Sequence, residues 1–216
     1  MTSTERLKLT EIFYSLQGEA QFVGVPTVFV RLTGCPLRCH YCDTAYAFHG
    51  GEWWNLPDIL EHVAQFGARD VCVTGGEPLA QRACLTLLRE LCDRGFRVSL
   101  ETSGALNVSE VDPRVSRVVD VKTPGSGEAD RNLYPQLQSL REPDQIKFVI
   151  TSRADYEWSR AKLRDLALAE RCGVLFSPSY GQLEPRDLAE WILADRLAVR
   201  FQLQLHKLLW GEARGR

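Results

Sequence analysis

Short apolar runs rich in β-branched residues alternate with amphipathic segments along almost the whole chain, and this alternation limits the possible folds more than any other feature. The apolar runs are TVFVRL (27–32), VCVTG (71–75), RVSLE (97–101), SRVVDV (116–121), IKFVI (146–150), GVLFS (173–177) and AVRFQLQ (198–204). Continuous apolar strands are typical of parallel sheets that are covered on both faces. The alternation therefore predicts an α/β fold with parallel strands and right-handed crossovers.

The segments between these runs have the period of helices that bury one face. They cover residues 56–66, 79–93, 153–170 and 184–194. The seven candidate strands occupy only 216 residues, whereas a closed barrel of eight strands typically takes about 250 residues. We therefore expect a single domain over residues 1–216, built as an incomplete or open (β/α) barrel of about six to seven mainly parallel strands.

Composition and charge narrow the class of protein. A net charge of −2 argues against a nucleic-acid binder that relies on a large basic surface. No apolar run approaches the roughly 18 residues that a membrane helix needs, and the start, MTSTERLKLTE, has no apolar signal core. We therefore expect a cytoplasmic protein that binds neither membranes nor nucleic acid. A cytosolic chain keeps its thiols reduced, so clustered cysteines are more readily explained as metal ligands than as disulfide partners.

Three of the seven cysteines lie within eight residues, in the stretch TGCPLRCHYCDT (33–44), with the spacing C-x3-C-x2-C. They follow the first clear strand, so they belong to a loop at the carboxyl edge of the sheet. One interpretation is a closed zinc site completed by His40, but no second ligand pair occurs and His40 directly follows Cys39. The other is a [4Fe–4S] cluster with three protein thiolates, which leaves one iron open to a small molecule.

The sequence VTGGEP (73–78) ends the next strand, and the predicted helix follows it from residue 79. Gly75 and Gly76 lack side chains, so a ligand can approach the backbone closely, and Glu77 can accept a hydrogen bond from a cationic amino group. Alone, this turn is an ordinary connection between a strand and a helix. Together with the cysteines it resembles the radical S-adenosylmethionine (SAM) superfamily, in which SAM itself would be the missing cluster ligand.

The flanking motifs narrow the resemblance. The segment SLQGEAQFVGVPTVFVRLTGCPLRCHYCDT (15–44) resembles the start of 7-carboxy-7-deazaguanine synthases. Four further matches occur in the same order along the chain: ETSG (101–104), VDVKTPGSGE (119–128), QIKFVI (145–150) and QLHKLLWGEARG (204–215). The resemblance implies a Mg²⁺-dependent ring contraction of 6-carboxy-5,6,7,8-tetrahydropterin to 7-carboxy-7-deazaguanine, with loss of ammonia, in queuosine or deazapurine biosynthesis. It also implies a homodimer and a flavodoxin-like electron donor.

Two alternatives remain open at this point. A small radical SAM activase of a glycyl-radical enzyme acts on a protein loop and should lack the motifs SLQGE and LHKLLWG. A non-catalytic zinc or iron–sulfur module has no reason to carry GGEP and ETSG at successive strand ends.

The resemblance assigns the ligands of the metals and of SAM residue by residue. Cys35, Cys39 and Cys42 would hold the [4Fe–4S] cluster, and the hydroxyl of Thr44 would bind Mg²⁺. The implied SAM contacts are Gly75, Gly76, Glu77, Gly104, Gln145, Ile146, Lys147, Ser177, Pro178, Ser179 and Tyr180, with Lys122 as a further candidate for the SAM carboxylate.

The implied substrate contacts are Leu16, Gln17, Gly18, Glu19, Arg31, Asp43, Thr102, His206 and Arg216. A guanidinium at Arg31 can hold a substrate carboxylate through two hydrogen bonds. Arg216 is a candidate through its carboxylate, although the ending RGR differs from the usual RGV. Position 20 is Ala where Gly is common. The remaining cysteines, at 72, 84, 92 and 172, are interpreted as small apolar core residues.

Overall fold

The computed structural model of the chain describes residues 5–216. Met1 to Thr4, the beginning of the segment MTSTERLKLTE, lie outside the described residues. No helix in the described part of the chain combines the length and the apolar character that crossing a membrane requires.

Nine strands form one sheet. Their bounds are β1 (Arg6–Leu16), β2 (Pro26–Leu32), β3 (Glu52–Asn55), β4 (Asp70–Gly75), β5 (Arg97–Thr102), β6 (Ser116–Asp120), β7 (Gln145–Ile150), β8 (Gly173–Pro178) and β9 (Arg200–Phe201). The order is β3-β1-β2-β4-β5-β6-β7-β8-β9, and all pairs from β2 to β9 are parallel, whereas β1 is antiparallel to both of its neighbours. The sheet is open, as expected for an incomplete barrel, and each of the seven predicted strands is present.

The first four of the five α-helices in residues 5–216 pack buried side chains into the main core against the sheet, and they largely match the sequence periodicity. The bounds of the five are α1 (Leu56–Gln65), α2 (Cys84–Asp93), α3 (Arg153–Asp165), α4 (Pro185–Asp195) and α5 (Leu205–Trp210). Two predicted boundaries were wrong. The second helix begins at Cys84 and not at 79, because a short 3₁₀ helix over Pro78–Ala80 intervenes. The third ends at Asp165 and not at 170, because Ala167 adopts the left-handed conformation (φ +49°).

A β-bulge explains why the sequence did not reveal β1. Leu9 lies opposite Leu32 and Glu11 lies opposite Arg31, so Thr10 is an extra residue in β1. The bulge moves the odd-numbered side chains to the other face of the sheet. Leu9 is buried in the main core, whereas Phe13 faces the interior of the barrel. Strict alternation therefore breaks in the middle of the strand.

The central strands place apolar side chains outward and polar side chains inward. On β7, for example, Ile146 and Phe148 are fully buried in the core beneath the helices, whereas Lys147 lines an internal cavity. Glu101 on β5 and Asp120 on β6 line the same cavity. The open barrel thus holds its hydrophobic core between sheet and helices and leaves its interior for polar groups.

Loss of a buried ion pair next to β6 should strongly destabilise the fold. Asp144 is 3% exposed and accepts hydrogen bonds from Nη2, Nε and the backbone N–H of Arg117 at 2.5, 3.1 and 2.9 Å. Asp144→Ala should lower the free energy of unfolding by about 3 to 5 kcal/mol, because it leaves an unpaired buried guanidinium. Urea denaturation measures the change. Asp165→Ala, which removes an exposed partner of Arg164, is the matched control, and an equal effect of both variants would contradict the prediction.

Candidate active site

A cavity of about 460 Å³ opens at the carboxyl ends of the strands. Its walls combine residues from β1, β2 and the loops after β2, β4, β5 and β8 with residues of α5 and the last residues of the chain. In parallel α/β sheets this edge is where ligands bind, because the loops after several strands meet there.

The three clustered cysteines all line this cavity. Cys35, Cys39 and Cys42 are partly buried and free. Burial raises the pKa of all three thiols, that of Cys39 to about 11. Within residues 5–216, no group of three or more His, Cys, Asp or Glu side chains is arranged to hold one metal ion. A cluster does not require such convergence, because each cysteine binds a different iron atom. Three thiols on one wall, with open cavity beside them, therefore fit a [4Fe–4S] cluster with one free iron.

Arg38 and the loop after β6 hold the cysteine loop in place. Nη1 of Arg38 donates to the backbone oxygens of Cys35 and Leu37 at 2.8 and 2.7 Å, and its backbone N–H donates to Oε1 of Glu128 at 2.5 Å. The backbone N–H of His40 donates to the oxygen of Ser126 at 3.0 Å. These bonds satisfy carbonyl and amide groups of an irregular segment that has no regular backbone partners.

The glycine pair after β4 lies directly against the cysteine loop. A Cβ atom on Gly76 would lie only 2.0 Å from the carbonyl oxygen of Gly34, so no other residue fits there without moving the backbone. The adjacent Glu77 N–H donates to that same oxygen at 2.7 Å. Gly75 and Gly76 line the cavity, which leaves their backbone open to a ligand bound beside the cysteines.

The carboxylate of Glu77 points away from the cavity. It is fully buried, and its two oxygens accept hydrogen bonds from the N–H of Leu79 (3.0 Å), Oγ1 of Thr102 (2.9 Å) and the N–H of Ser103 (2.7 Å). Glu77 does not line the cavity, and its carboxylate positions the start of the ETSG loop. The SAM contact that the motif implies for Glu77 stays a prediction.

A chain of alternating charges crosses the cavity floor. Lys122 pairs with Asp120 (3.1 Å), Asp120 with Lys147 (3.5 Å) and Lys147 with Glu19 (2.6 Å). Burial alone would raise the pKa values of Glu19 and Asp120, but the neighbouring lysines lower both below their usual range. All four groups therefore stay charged at neutral pH, and they present fixed charges to a ligand without reorganisation.

Glu101 has a different environment from the other acids of the floor. Its nearest donors are Oγ1 of Thr74 at 3.3 Å and Nε2 of Gln17 at 3.4 Å, and no cation lies within ion-pair distance in the described residues. Burial raises the pKa of Glu101, and the nearby charge of Glu19 adds to this, although Lys147 and Arg31 oppose it. Glu101 is thus a partly buried acid without an ion-pair partner among the described residues.

The SLQGE loop and α5 pack against each other at the cavity wall. A Cβ atom on Gly18 would lie 2.1 Å from Nδ1 of His206, and the N–H of Leu205 donates to the oxygen of Gly18 at 3.0 Å. Ala20 adopts the left-handed conformation with φ +61°, which explains why Gly is favoured at this position. Gln202 holds Ala20 in place through two hydrogen bonds with its backbone, at 2.7 and 3.1 Å.

Asp43 and Thr44 lie next to the last cysteine and also line the cavity. Oγ1 of Thr44 donates to Oδ1 of Asp43 at 2.7 Å, and Nε2 of Gln204 approaches Oδ2 of Asp43 at 3.4 Å. Burial would raise the pKa of Asp43, but the Thr44 hydroxyl and the charges of Lys207 and Lys147 lower it overall. This arrangement offers a hydroxyl and a carboxylate oxygen, which suit a hard cation.

The structure brings most of the sequence-predicted site residues together. Those that line the cavity are Leu16, Gln17, Gly18, Glu19, Arg31, Cys35, Cys39, Cys42, Asp43, Thr44, Gly75, Gly76, Thr102, Lys122, Lys147, Ser179, Tyr180, His206 and Arg216. The predicted residues that do not line it are Glu77, Gly104, Gln145, Ile146, Ser177 and Pro178. Ile146 faces the hydrophobic core beneath the helices.

Sequence reasoning missed several residues of the wall. Glu101, Asp120, Gln204 and Lys207 line the cavity but received no individual role. The positions of Glu101 and Asp120 could have been predicted from the sequence. Glu101 is the first residue of ETSG, Asp120 lies in VDVK, and alternate residues near the ends of parallel strands face the barrel interior. Gln204 and Lys207 depend on α5, for which the sequence has no helical pattern long enough to recognise.

Comparison with known proteins places the chain in a class and then in a family. Residues 29–121 match the family model described as the radical SAM superfamily. The fold and the site thus define a radical SAM enzyme, a class that uses a [4Fe–4S] cluster and SAM.

Similar proteins specify the family. The chain is 47% identical over 219 residues to the 7-carboxy-7-deazaguanine synthase of Chlorobaculum tepidum, with 100% of both chains covered. It is 40% identical to the synthase of Koribacter versatilis, over 94% of this chain and 97% of that relative. The crystal structure of QueE from Escherichia coli matches with a TM-score of 0.77 at 28% identity, over 93% of this chain and 95% of that one. The chain belongs to the 7-carboxy-7-deazaguanine synthase family, which confirms the family expected from its motifs.

Adding one methyl group at Gly18 should loosen α5. In Gly18→Ala the new Cβ would collide with the side chain of His206, Cβ included, so we expect His206 and the helix that carries it to shift away from the SLQGE loop. We expect faster amide hydrogen exchange over residues 204–210 and little change elsewhere. Gly173→Ala is the control, because its Cβ would meet no atom closer than 3.4 Å. Unchanged exchange in α5 of the Gly18 variant would contradict the assigned packing.

Replacing Glu101 should stabilise the protein at neutral pH. The pKa of Glu101 is raised in the folded state, so its stabilising contribution is complete below its ordinary value and is lost as the pH rises through the folded pKa. Glu101→Gln should therefore have a higher free energy of unfolding than the wild type at pH 7. The difference should shrink toward pH 4.5. Urea denaturation at both pH values measures it, and a less stable variant at pH 7 would show that the carboxylate is well paired after all.

Proposed function

We propose that this chain catalyses the ring contraction of 6-carboxy-5,6,7,8-tetrahydropterin to 7-carboxy-7-deazaguanine with release of ammonia, as a step of queuosine or deazapurine biosynthesis. One observation carries the proposal. The three cysteines, the glycine pair, residues 16–19 of SLQGE and two residues of LHKLLWG, His206 and Lys207, line one cavity, although they come from distant parts of the sequence. The printed names of the relatives at 47% and 40% identity support the same reaction.

The cysteine wall and the glycine turn are the proposed cofactor side. Cys35, Cys39 and Cys42 would hold the cluster, and the backbone of Gly75 and Gly76 would accommodate SAM beside it. When bound, these groups supply a carbon-centred radical that can abstract a hydrogen atom from the substrate. Ser179 and Tyr180, directly after β8, also line the cavity and are the proposed further SAM contacts, together with Lys147 and Lys122.

The other proposed SAM contacts contribute indirectly, through the backbone next to the cavity. Glu77, Gly104, Gln145, Ile146, Ser177 and Pro178 do not line the cavity, so their proposed contribution is to shape the backbone next to it. Gln145, for example, accepts a hydrogen bond from the N–H of Gln21 at 2.8 Å, which ties β7 to the loop after β1.

The SLQGE loop, Arg31 and α5 are the proposed substrate side. The amide of Gln17 and the carboxylate of Glu19 suit the donor and acceptor pattern of a guanine-like ring edge, and Arg31 can hold the substrate carboxylate. Phe13 and Phe29 stack at 4.9 Å and line the cavity, which provides an apolar wall that helps to exclude water. Thr102, His206 and Arg216 complete the proposed set of contacts.

Asp43 and Thr44 are the proposed protein contribution to a Mg²⁺ site. Mg²⁺ takes few protein ligands and keeps waters or substrate oxygens, so the hydroxyl of Thr44 with Asp43 close by is a sufficient donor set when the substrate carboxylate joins it. The resemblance also supports a single domain over residues 1–216, a homodimer, a flavodoxin-like electron donor and a cytoplasmic location, and these stay predictions.

Product formation under anaerobic conditions tests the proposal. The purified protein is reconstituted with iron and sulfide, reduced, and incubated with SAM, Mg²⁺ and 6-carboxytetrahydropterin, and 7-carboxy-7-deazaguanine is measured by mass spectrometry. Cys39→Ala should lose the cluster absorbance and make no product above background. Cys92→Ala removes a cysteine of α2 that does not line the cavity, and it should behave like the wild type.

The possible outcomes test the radical SAM chemistry and the identity of the substrate separately. Formation of 5′-deoxyadenosine without the deazaguanine product would retain the radical SAM chemistry and reject the proposed substrate. Equal product from the Cys39 variant would reject the assignment of the cluster ligands. Product that does not depend on added Mg²⁺ after treatment with a chelator would reject the proposed roles of Thr44 and Asp43.

A further inference from the structure

The bulge in β1 places the acidic side chain of Glu11 next to Arg31. If β1 paired regularly from Leu9 and Leu32 onward, Thr10 would lie opposite Arg31. The extra residue places Glu11 there instead. Oε1 of Glu11 accepts a hydrogen bond from Nε of Arg31 at 2.7 Å, and both side chains are largely buried, at 21% and 15% exposure. Bulges often redirect a side chain beside a functional site, and here the redirected group is a carboxylate next to the proposed substrate clamp.

The hydrogen bonds of Arg31 leave one edge of its guanidinium open. Nε is bonded to Glu11, and Nη1 donates to the backbone oxygen of Gly75 at 3.2 Å. In residues 5–216 the second N–H of Nη1 and both N–H groups of Nη2 have no partner. A carboxylate can bind this Nη1–Nη2 edge through two parallel hydrogen bonds. Glu11 occupies Nε, so a ligand carboxylate that binds Arg31 through two parallel hydrogen bonds must use the Nη1–Nη2 edge.

Tyr46 holds Glu11 from the other side. Its hydroxyl donates to the same oxygen, Oε1 of Glu11, at 2.7 Å. Its ring lies 5.9 Å from the guanidinium carbon of Arg31 and 4.4 Å from that of Arg214, close to the end of the chain. Cations at such distances from an aromatic ring are attracted to it. Tyr46 is therefore held through both its hydroxyl and its ring, and Glu11 is held through two donors.

We infer that Glu11 and Tyr46 are positioning residues for Arg31, which make the guanidinium present only its Nη1–Nη2 edge to a carboxylate ligand. This inference rests on the proposed function, because it takes Arg31 as the group that binds the substrate carboxylate. Neither residue lines the cavity, so they act through Arg31 and not by contact with the ligand. Their role is to set the angle at which a carboxylated heterocycle lies relative to the cysteine wall.

Glu11→Gln tests positioning directly because it separates binding from turnover. It removes a negative charge beside the clamp, so a carboxylated ligand should bind at least as tightly as to the wild type. It also replaces the hydrogen bond between two charged groups at Nε of Arg31 with a weaker bond to a neutral acceptor, so the guanidinium and the bound substrate can tilt. Misplacement by about 1 Å can cost on the order of 100-fold in rate. We expect kcat to fall at least about tenfold with KM not raised, and more 5′-deoxyadenosine per product.

Binding without turnover supplies a second measurement. The probes are 6-carboxypterin and unsubstituted pterin, titrated into the reconstituted protein with SAM, and the quantity measured is the ratio of their dissociation constants. The wild type should prefer 6-carboxypterin, Glu11→Gln should keep or increase this preference, and Arg31→Lys, which lacks the planar fork, should lose it. Tyr46→Phe keeps the ring and the charge but removes the hydroxyl, and it should lower kcat in the same direction as Glu11→Gln by a smaller factor.

Two control variants match the chemical changes. Tyr14→Phe removes a hydroxyl from an exposed tyrosine of the same strand β1, and Glu190→Gln removes the carboxylate of an exposed pair with Arg186. Neither residue lines the cavity, and both variants should match the wild type in kcat, KM and ligand preference.

The outcomes distinguish this inference from the proposed function. Glu11→Gln and Tyr46→Phe variants that turn over like their controls, in a wild type that makes the product, would overturn only the positioning roles. A Glu11 variant that binds both pterins more weakly with unchanged kcat would also overturn the positioning roles, because it would indicate a purely structural role for Glu11. A wild type that binds neither pterin and forms no product would overturn the proposed function and this inference together.

Discussion

The contacts of Glu77 are the interaction on which the rest of the site depends. Its backbone N–H binds the oxygen of Gly34 in the cysteine loop at 2.7 Å, and its buried carboxylate binds Thr102 and Ser103 at the end of β5. One residue thereby joins the carboxyl ends of β2, β4 and β5. The contact between the loops is possible only because Gly76 has no side chain to collide with Gly34. A buried carboxylate that is satisfied by backbone and hydroxyl donors is a rigid connector, because removing any partner leaves a costly unpaired group.

The cavity interior is organised by charge more than by apolar packing. Lys122, Asp120, Lys147 and Glu19 form an alternating chain of ion pairs, in which each burial cost is offset by an opposite neighbour. Glu101 is the exception, since its raised pKa reflects burial without a close cation. Buried charges held in fixed positions lower the free energy of unfolding, but they are already oriented when a ligand binds. Both effects are common in active sites.

Much of the fold could be predicted because its signals are local. The seven parallel strands and four of the helices follow from apolar periodicity alone. Strand β1 escaped prediction because its bulge at Thr10 reverses the alternation, so that Leu9 and Phe13 have the same parity but face opposite sides of the sheet. Strand β3 is only four residues long and pairs with β1 alone. Neither strand has a periodic pattern that could be recognised before its partner was known.

The class of protein follows from consecutive residues, because the chemistry of the cysteine spacing, the glycine turn and the SLQGE motif can be read in order along the chain. How those residues act on one another depends on the folded chain. Folding bonds the Glu77 carboxylate to the end of β5, places Glu11 on Arg31 through the bulge, and joins Glu19 to Lys147 across 128 positions of sequence. The physical reason is that hydrogen bonds and ion pairs depend on distance in space, and strand register and loop packing, which set those distances, are properties of the whole sheet.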